Sequence, residues 1–172
     1  MPDERLQYPI GKFSPKENYS SEEIAALVNA IENLPGKMEG VFRRLSPKQL
    51  DSPYRPGGWT ARQVIHHVAD SHMNAYIRFK WSLTENTPTI KAYDEKLWAE
   101  TPETKMDPAL SINLLKSLHA KWITLLQTLS ATDLQKSFVH PETGKHVRLD
   151  RLIALYAWHG EHHLGHIKLV AG

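Results

Sequence analysis

In four separate stretches of this chain, apolar residues recur at steps of three and four, and proline-bearing segments divide the stretches from one another. That period lines apolar side chains along one face of an α-helix, and four such faces are best buried against each other. The first stretch carries Ile24, Leu27, Val28, Ile31 and Leu34, with Ser21 as N-cap and Glu22 and Glu23 in the opening turn. Pro35-Gly36 interrupts it and the pattern resumes at Met38, Val41, Phe42 and Leu45, which predicts a kinked helix or two consecutive ones. The second opens on a capping-box pattern, Thr60-Ala61-Arg62-Gln63, and runs to about Leu83. The third covers roughly 108–129, with Leu110, Leu114, Leu115, Leu118, Trp122, Leu125, Leu126 and Leu129 on one side. Residues 137–140 and 145–148, flanking Pro141-Glu142-Thr143-Gly144, read as a small hairpin. The last helix begins near Asp150 and continues almost to the end. The expected fold class is all-α: a four-helix bundle with long crossover connections and a small β-hairpin before the last helix.

The 172 residues suit a single domain spanning 1–172, large enough to bury a core without a staple. Pro2, Pro9, Gly11 and Pro15 make 1–19 an extended N-terminal arm, and its Tyr8-Pro9-Ile10-Gly11-Lys12-Phe13 is apolar enough to pack on the body. The irregular connection 87–108, with Tyr93, Asp94, Glu95 and Trp98, is long enough to cross the bundle or to cover a site. The cysteine count is zero, which excludes disulfides, cysteine-ligated metals and a protein-borne thiol nucleophile. A net charge of +2 gives no reason to expect a nucleic acid or membrane surface as partner. Met1-Pro2-Asp3-Glu4-Arg5 leads into no apolar signal segment and no stretch is apolar enough to span a bilayer, so the expected location is the cytoplasm.

Ten histidines remain to be explained, four of them between His159 and His166. Residues i and i+4 of a helix lie about 40° apart and about 6 Å along the axis, so two imidazoles so spaced can reach one cation. His159 with His163, and His162 with His166, both satisfy this. Counted from His159, Leu152 and Val170 fall near 20° and Tyr156 near roughly 60°, which puts His159 and His163 mid-stripe and leaves His162 and His166 on its edge. Imidazoles at the centre of a core-facing stripe need a metal or hydrogen-bond acceptors, because burying unpaired polarity costs free energy. Glu161 points away from that face and reads as a solvated residue, not a general base. On the second helix the stripe Val64, Val68, Ala75, Phe79 contains His72, has His67 at its edge beside Ser71 and Asn74, and leaves His66 nearly opposite. Periodicity alone favours His72 as the inward residue. His119, His140 and His146 read as surface or packing histidines.

Gly58-Trp59-Thr60, Val64-Ile65-His66-His67-Val68-Ala69-Asp70-Ser71 and Trp158-His159-Gly160-Glu161-His162-His163-Leu164-Gly165-His166-Ile167 together resemble the DinB/YfiT-like superfamily. Within it the resemblance is to the YfiT-type branch, described as metal-dependent hydrolases and related to bacillithiol S-transferases. The Tyr8-Pro9-Ile10-Gly11 arm and Tyr93-Asp94-Glu95 with Trp98 extend the likeness over most of the chain. The resemblance implies a four-helix bundle, commonly a homodimer, in which the first ligand is a histidine followed by two residues and Asp. That is His67, with Asp70 in the matching position, in place of His72; the other two ligands match His159 and His163, and His166 becomes a pocket residue beside them.

Three neutral imidazoles leave a divalent cation, zinc or nickel, one per chain, with an open position. Such a site lowers the pKa of water toward about 7, or converts a small thiol cosubstrate to the thiolate. The expected function is therefore a metal-dependent hydrolase or a low-molecular-weight thiol S-transferase acting on a small-molecule substrate. Asp94, Glu95 and His166 are the candidate catalytic groups beside the metal. The alternative is a non-catalytic metal-binding or structural bundle whose site is occluded.

Overall fold

Capping and periodicity together account for the elements of the computed structural model, which describes residues 4–172. In chain order these are α1 (Glu4–Gln7), α2 (Ser21–Phe42), α3 (Pro47–Leu50), α4 (Ala61–Thr84), α5 (Glu95–Trp98), a 3-10 turn at Pro102–Lys105, α6 (Ala109–Leu126), α7 (Ala131–Gln135), β1 (Ser137–Val139), β2 (His146–Arg148) and α8 (Leu149–Ala171). Thr60 caps α4 as its sequence requires: its hydroxyl accepts from the Gln63 amide at 3.2 Å, while Gln63 reaches back to the Thr60 amide at 3.1 Å. At the start of α2 the cap is Ser20, one residue before the expected Ser21, because Glu23 then stands at the third helical position and closes the box on Ser20. No helix among the described residues is long and apolar enough to cross a membrane.

The four long helices α2, α4, α6 and α8 form the bundle. α2 packs on α8 and α6, and α4 packs on the same two, so α2 stands diagonally from α4 and α6 diagonally from α8. The first diagonal step, α2 to α4, runs through the connection bearing Pro47, Pro53 and Pro56, and the second, α6 to α8, through α7 and the hairpin, while the 87–108 connection joins the neighbours α4 and α6. The hairpin forms in the register Phe138 opposite Val147, buries Phe138 against the bundle, and is joined at Val139 by Thr89 of the 87–108 connection. Of the arm, residues 4–19 are described. They contain the helical turn α1 where an extended chain was expected, and they pack on α8 through Phe13 against Trp158 and a bond from the Trp158 indole to the Gly11 carbonyl at 3.1 Å.

Of the two expectations at Pro35, a single helix forms and two consecutive ones do not: α2 runs through it to Phe42, packed on α6 and α8. The expected face of α6 is corrected. On α6 the buried face is Ile112, Leu115, His119, Trp122, Ile123 and Leu126, while Leu110 and Leu114 face outward at 61% and 43% exposure. A leucine-rich helix has more leucines than one face can hold, and the 100° step selects the others.

The core falls into two apolar halves. One holds Ile31, Phe79, Trp122, Phe138, Leu152 and Tyr156; the other holds Leu34, Met38, Val64, Val68, Leu115 and Leu164. Between them, along three of the long helices, sit His72, His119 and the span His159–His163, with Pro35 at the same level of α2. Gly160 belongs to this level, where a Cβ would lie 2.4 Å from a methyl of the buried Leu34, so a larger residue there would force the Leu34 side chain to move. Phe79 anchors the first half, buried edge-to-face on Trp122. Phe79→Ala is expected to cost about 3–5 kcal/mol of unfolding free energy in a denaturant titration, and a loss below about 1 kcal/mol would contradict this packing.

Candidate metal centre

α4 and α8 lie against each other, and each presents ring nitrogens to the seam between them. His67 Nε2 and His159 Nε2 are 3.3 Å apart, and a nitrogen of His163 joins them with all three atoms within 4.8 Å of one another. Two imidazoles bonded to one tetrahedral cation at about 2.05 Å hold their nitrogens about 3.3 Å apart, so the observed spacing suits a shared ion. His162, His163 and His166 form a second group within the same limit, with His163 common to both. His166 Nδ1 lies 3.3 Å from His163 Nδ1, and His166 Nε2 lies 3.1 Å from the Gln7 carbonyl of the arm. The arm therefore helps to build the site it covers. His162 is buried beneath Tyr8 and stacked on Trp158, and its Nδ1 has no partner.

His72 is fully buried one step deeper. Its Nε2 lies 3.3 Å from His159 Nδ1, and its Nδ1 lies 3.0 Å from His119 Nε2. Both readings of the second helix thus touch His159, from opposite sides of its ring. His119, expected at the surface or as packing, is buried, with Nδ1 2.7 Å from the Ile31 carbonyl. His66 turns away toward α6, where its Nδ1 meets Ser111 at 2.7 Å. Glu161 pairs with Lys37 at 2.5 Å outside the site.

A cleft of about 800 Å³ reaches His67, His159 and His163, walled by Tyr54, Trp59 and Trp158 and rimmed by Arg55, Glu95 and Lys96. Trp59 lies 4.6 Å, ring to ring, from His67, and Tyr54 stacks on His166 at 3.8 Å. Neither wall was legible in the periodicity, because both stand in the irregular segment ahead of α4. A second cleft of about 750 Å³ approaches His159 from the other side, between Ser71, Tyr156 and Tyr93. Ser71 Oγ is 3.4 Å from His159 Nε2 and donates to the Tyr156 hydroxyl at 3.4 Å. Glu95 lines both clefts. Asp94 caps α5, where its Oδ1 accepts from the amides of Lys96 and Leu97 at 3.0 Å each, and it lines the second cleft beside Glu95. Asp70 is half-buried apart from the histidines, and burial, reinforced by Glu103, raises its carboxyl to about 6.

Residues 30–167 match the family model of the DinB superfamily. The chain belongs to that superfamily. A protein of Bacillus cereus (strain 03BB102) named "Putative metal-dependent hydrolase" is 52% identical over 162 residues, covering 94% of this chain and 93% of its own. A relative in Bacillus thuringiensis subsp. konkukian bears the same description with the same identity and coverage. Among solved structures, YfiT from Bacillus subtilis, described as "a probable metal-dependent hydrolase with an unusual four-helix bundle topology", superposes with a TM-score of 0.94 at 46% identity, over 96% of this chain and 95% of that one.

Burial dominates the electrostatics. It lowers His67, His119, His162 and His166 to about 4, the neighbouring rings adding to the effect at His67 and His162, and it takes His72, His159 and His163 well below the ordinary histidine range. At neutral pH these rings therefore keep the lone pairs that a cation needs. In the unfolded chain the same residues protonate near about 6.5, so between roughly pH 4 and 6.5 the unfolded state binds more protons than the folded one. Stability must then rise with pH across that window. The melting temperature of the metal-free protein is expected to fall steadily as pH drops from about 7 to 5, and a melting temperature flat over that range would contradict the buried neutral cluster.

Proposed function

We propose that this protein is a metal-dependent enzyme acting on a small molecule, with one divalent cation, zinc or nickel, held by His67, His159 and His163. The observation that carries the reading is the convergence of three neutral imidazoles, His67 and His163 buried and His159 half-buried, from two helices at the floor of an open cleft. Of the two histidine groups this one draws on two helices, α4 and α8, whereas the other lies on α8 alone and has a His166 nitrogen taken by the Gln7 carbonyl of the arm. The cleft also favours catalysis over an occluded structural site, since three protein ligands at its floor leave a coordination position facing solvent. A divalent cation there supplies Lewis acidity, lowering the pKa of water or of a thiol toward neutrality.

The residues around it divide the remaining work. Trp59 covers one side of His67 and shields it from water. Tyr54, Trp158 and Arg55 offer stacking faces and a positive charge to a substrate entering the cleft. Ser71, hydrogen-bonded to Tyr156, faces His159 Nε2 and can orient a bound polar group.

The finer reading is transfer to or from a low-molecular-weight thiol. Among the described residues no carboxylate hydrogen-bonds to the three histidines, and one oxygen of Asp94 is taken up in capping α5. The chain supplies no cysteine, so the thiol is a cosubstrate. Hydrolysis is favoured instead if Glu95, which lines both clefts, serves as base.

His67→Ala is expected to weaken zinc or nickel binding by at least about 100-fold in a calorimetric titration, whereas His66→Ala, facing Ser111, should leave it within about threefold. Equal losses in the two variants would overturn the ligand assignment. With metal-loaded protein and one electrophilic substrate, turnover should saturate with added thiol. Thiol-independent turnover abolished by Glu95→Gln with metal still bound would make the protein a hydrolase.

A further inference from the structure

Proline has no N–H, so inside a helix it leaves the carbonyl four residues earlier without its usual donor. In α2 that proline is Pro35 and that carbonyl belongs to Ile31, deep in the bundle at 1% exposure. His119 Nδ1, on α6, stands 2.7 Å from it and fills the vacancy. A carbonyl only accepts, so the proton of this bond sits on His119 Nδ1.

Everything downstream follows from that one direction. Among the described residues no carboxylate hydrogen-bonds or ion-pairs with His72, His119, His159, His163 or His166, and rings buried without a counter-ion stay neutral, with one N–H each. With its proton on Nδ1, His119 Nε2 is a bare acceptor, and His72 Nδ1, 3.0 Å away, must donate to it. His72 Nε2 is then bare, and His159 Nδ1, at 3.3 Å, donates in turn. His159 is left with its lone pair on Nε2, the atom that faces His67 Nε2 and, at 3.4 Å, the Ser71 hydroxyl, whose single proton can turn to it from the Tyr156 hydroxyl. A second string runs the same way. The Gln7 carbonyl ends the single turn of α1 and takes the N–H of His166 Nε2 at 3.1 Å. His166 Nδ1 is then bare and accepts from His163 Nδ1 at 3.3 Å, which leaves the His163 lone pair on Nε2.

We infer that His119, His72 and His166 are positioning residues: two strings of imidazoles, anchored on the carbonyls of Ile31 and Gln7, hold His159 and His163 in the Nδ1–H tautomer and keep both Nε2 lone pairs free for a cation before any arrives. Ligand histidines commonly hand their second N–H to a carboxylate or a carbonyl. Here no carboxylate among the described residues reaches these rings, and relaying the proton through further imidazoles reaches a carbonyl of another element instead. Pro35 acquires a role in the same step, as the residue that frees the Ile31 carbonyl. The purpose of the strings rests on the metal reading proposed above, but the tautomers are a property of the metal-free protein and are tested there.

Long-range proton–nitrogen correlation spectra of metal-free, nitrogen-15-labelled protein, recorded at about pH 7.5 where unperturbed histidines are neutral, read each tautomer directly. The expected pattern is Nδ1–H on His72, His119, His159 and His163, and Nε2–H on His166. Imidazole in water prefers Nε2–H, so rings that merely pack would give the opposite result at four of the five positions. His119→Gln keeps a donor for Ile31 and an acceptor for His72, and should retain both the His159 tautomer and zinc affinity within about threefold. His119→Leu removes the anchor, frees the string to reverse, and should bring Nε2–H signal to His159 with zinc affinity lowered about 10- to 100-fold. Nε2–H on His159 or His163 in the wild-type spectrum, or equal zinc affinity in the Leu and Gln variants, would overturn the inference. The wild-type spectrum decides even if His119→Leu does not fold. The expected tautomers in a protein that binds neither zinc nor nickel would sink the metal reading and leave the strings standing.

Discussion

A layer of imidazoles crosses the middle of an otherwise apolar bundle, and the rest of the structure is arranged so that this layer can be buried. Each ring brings two polar nitrogens into a core where an unpartnered one costs on the order of 1–3 kcal/mol. The layer is tolerated because its nitrogens, His162 Nδ1 apart, face one another, a backbone carbonyl, or the cleft. Apolar packing above and below, from Phe79 and Trp122 on one side and Val68 and Leu115 on the other, fixes the helices that carry the rings.

That requirement reaches into positions remote from any chemistry. Pro35 sits inside a continuous helix, where it ordinarily weakens the ladder, and the carbonyl it strands is taken by His119. Gly160 lets Leu34 pass within reach of α8, which sets the spacing at the level of His159. Pro9 packs where a Cβ on Gly165 would stand, at 2.8 Å, and this seats the arm so that the Gln7 carbonyl meets His166. Proline and glycine act here as spacers around the histidine layer, and the arm closes over one end of it.

The bundle was legible in the sequence wherever a face carried a clean period. α4 and α8 begin within a residue of where Thr60 and Asp150 had placed them, and the hairpin forms around Pro141–Gly144 in the expected strands. Leucine content misled on α6, where Leu110 and Leu114 proved exposed while Ile112 and His119 took the core. The convergence of His159 with His163 could be read from i, i+4 spacing, since both lie on one helix. The partner from α4 could not. Burial, which periodicity reports, is greatest at His72, whereas access to the cleft belongs to His67 at the edge of the stripe. Only the resemblance pointed to His67, and only the structure shows both rings on opposite nitrogens of His159. The roles of Trp59, Tyr54 and the Gln7 carbonyl lie in loops and in backbone, where no residue pattern records them.

X-ray absorption at the metal edge of the zinc- or nickel-loaded protein tests the central claim most directly, because it counts what surrounds the ion. The account predicts three imidazole nitrogens at about 2.0–2.1 Å with an exchangeable light atom completing the shell, and that atom replaced by sulfur at about 2.3 Å when a small thiol is added. A shell filled by four or more protein ligands, unchanged by thiol, by cyanide or by any other small ligand, would contradict an open three-histidine site.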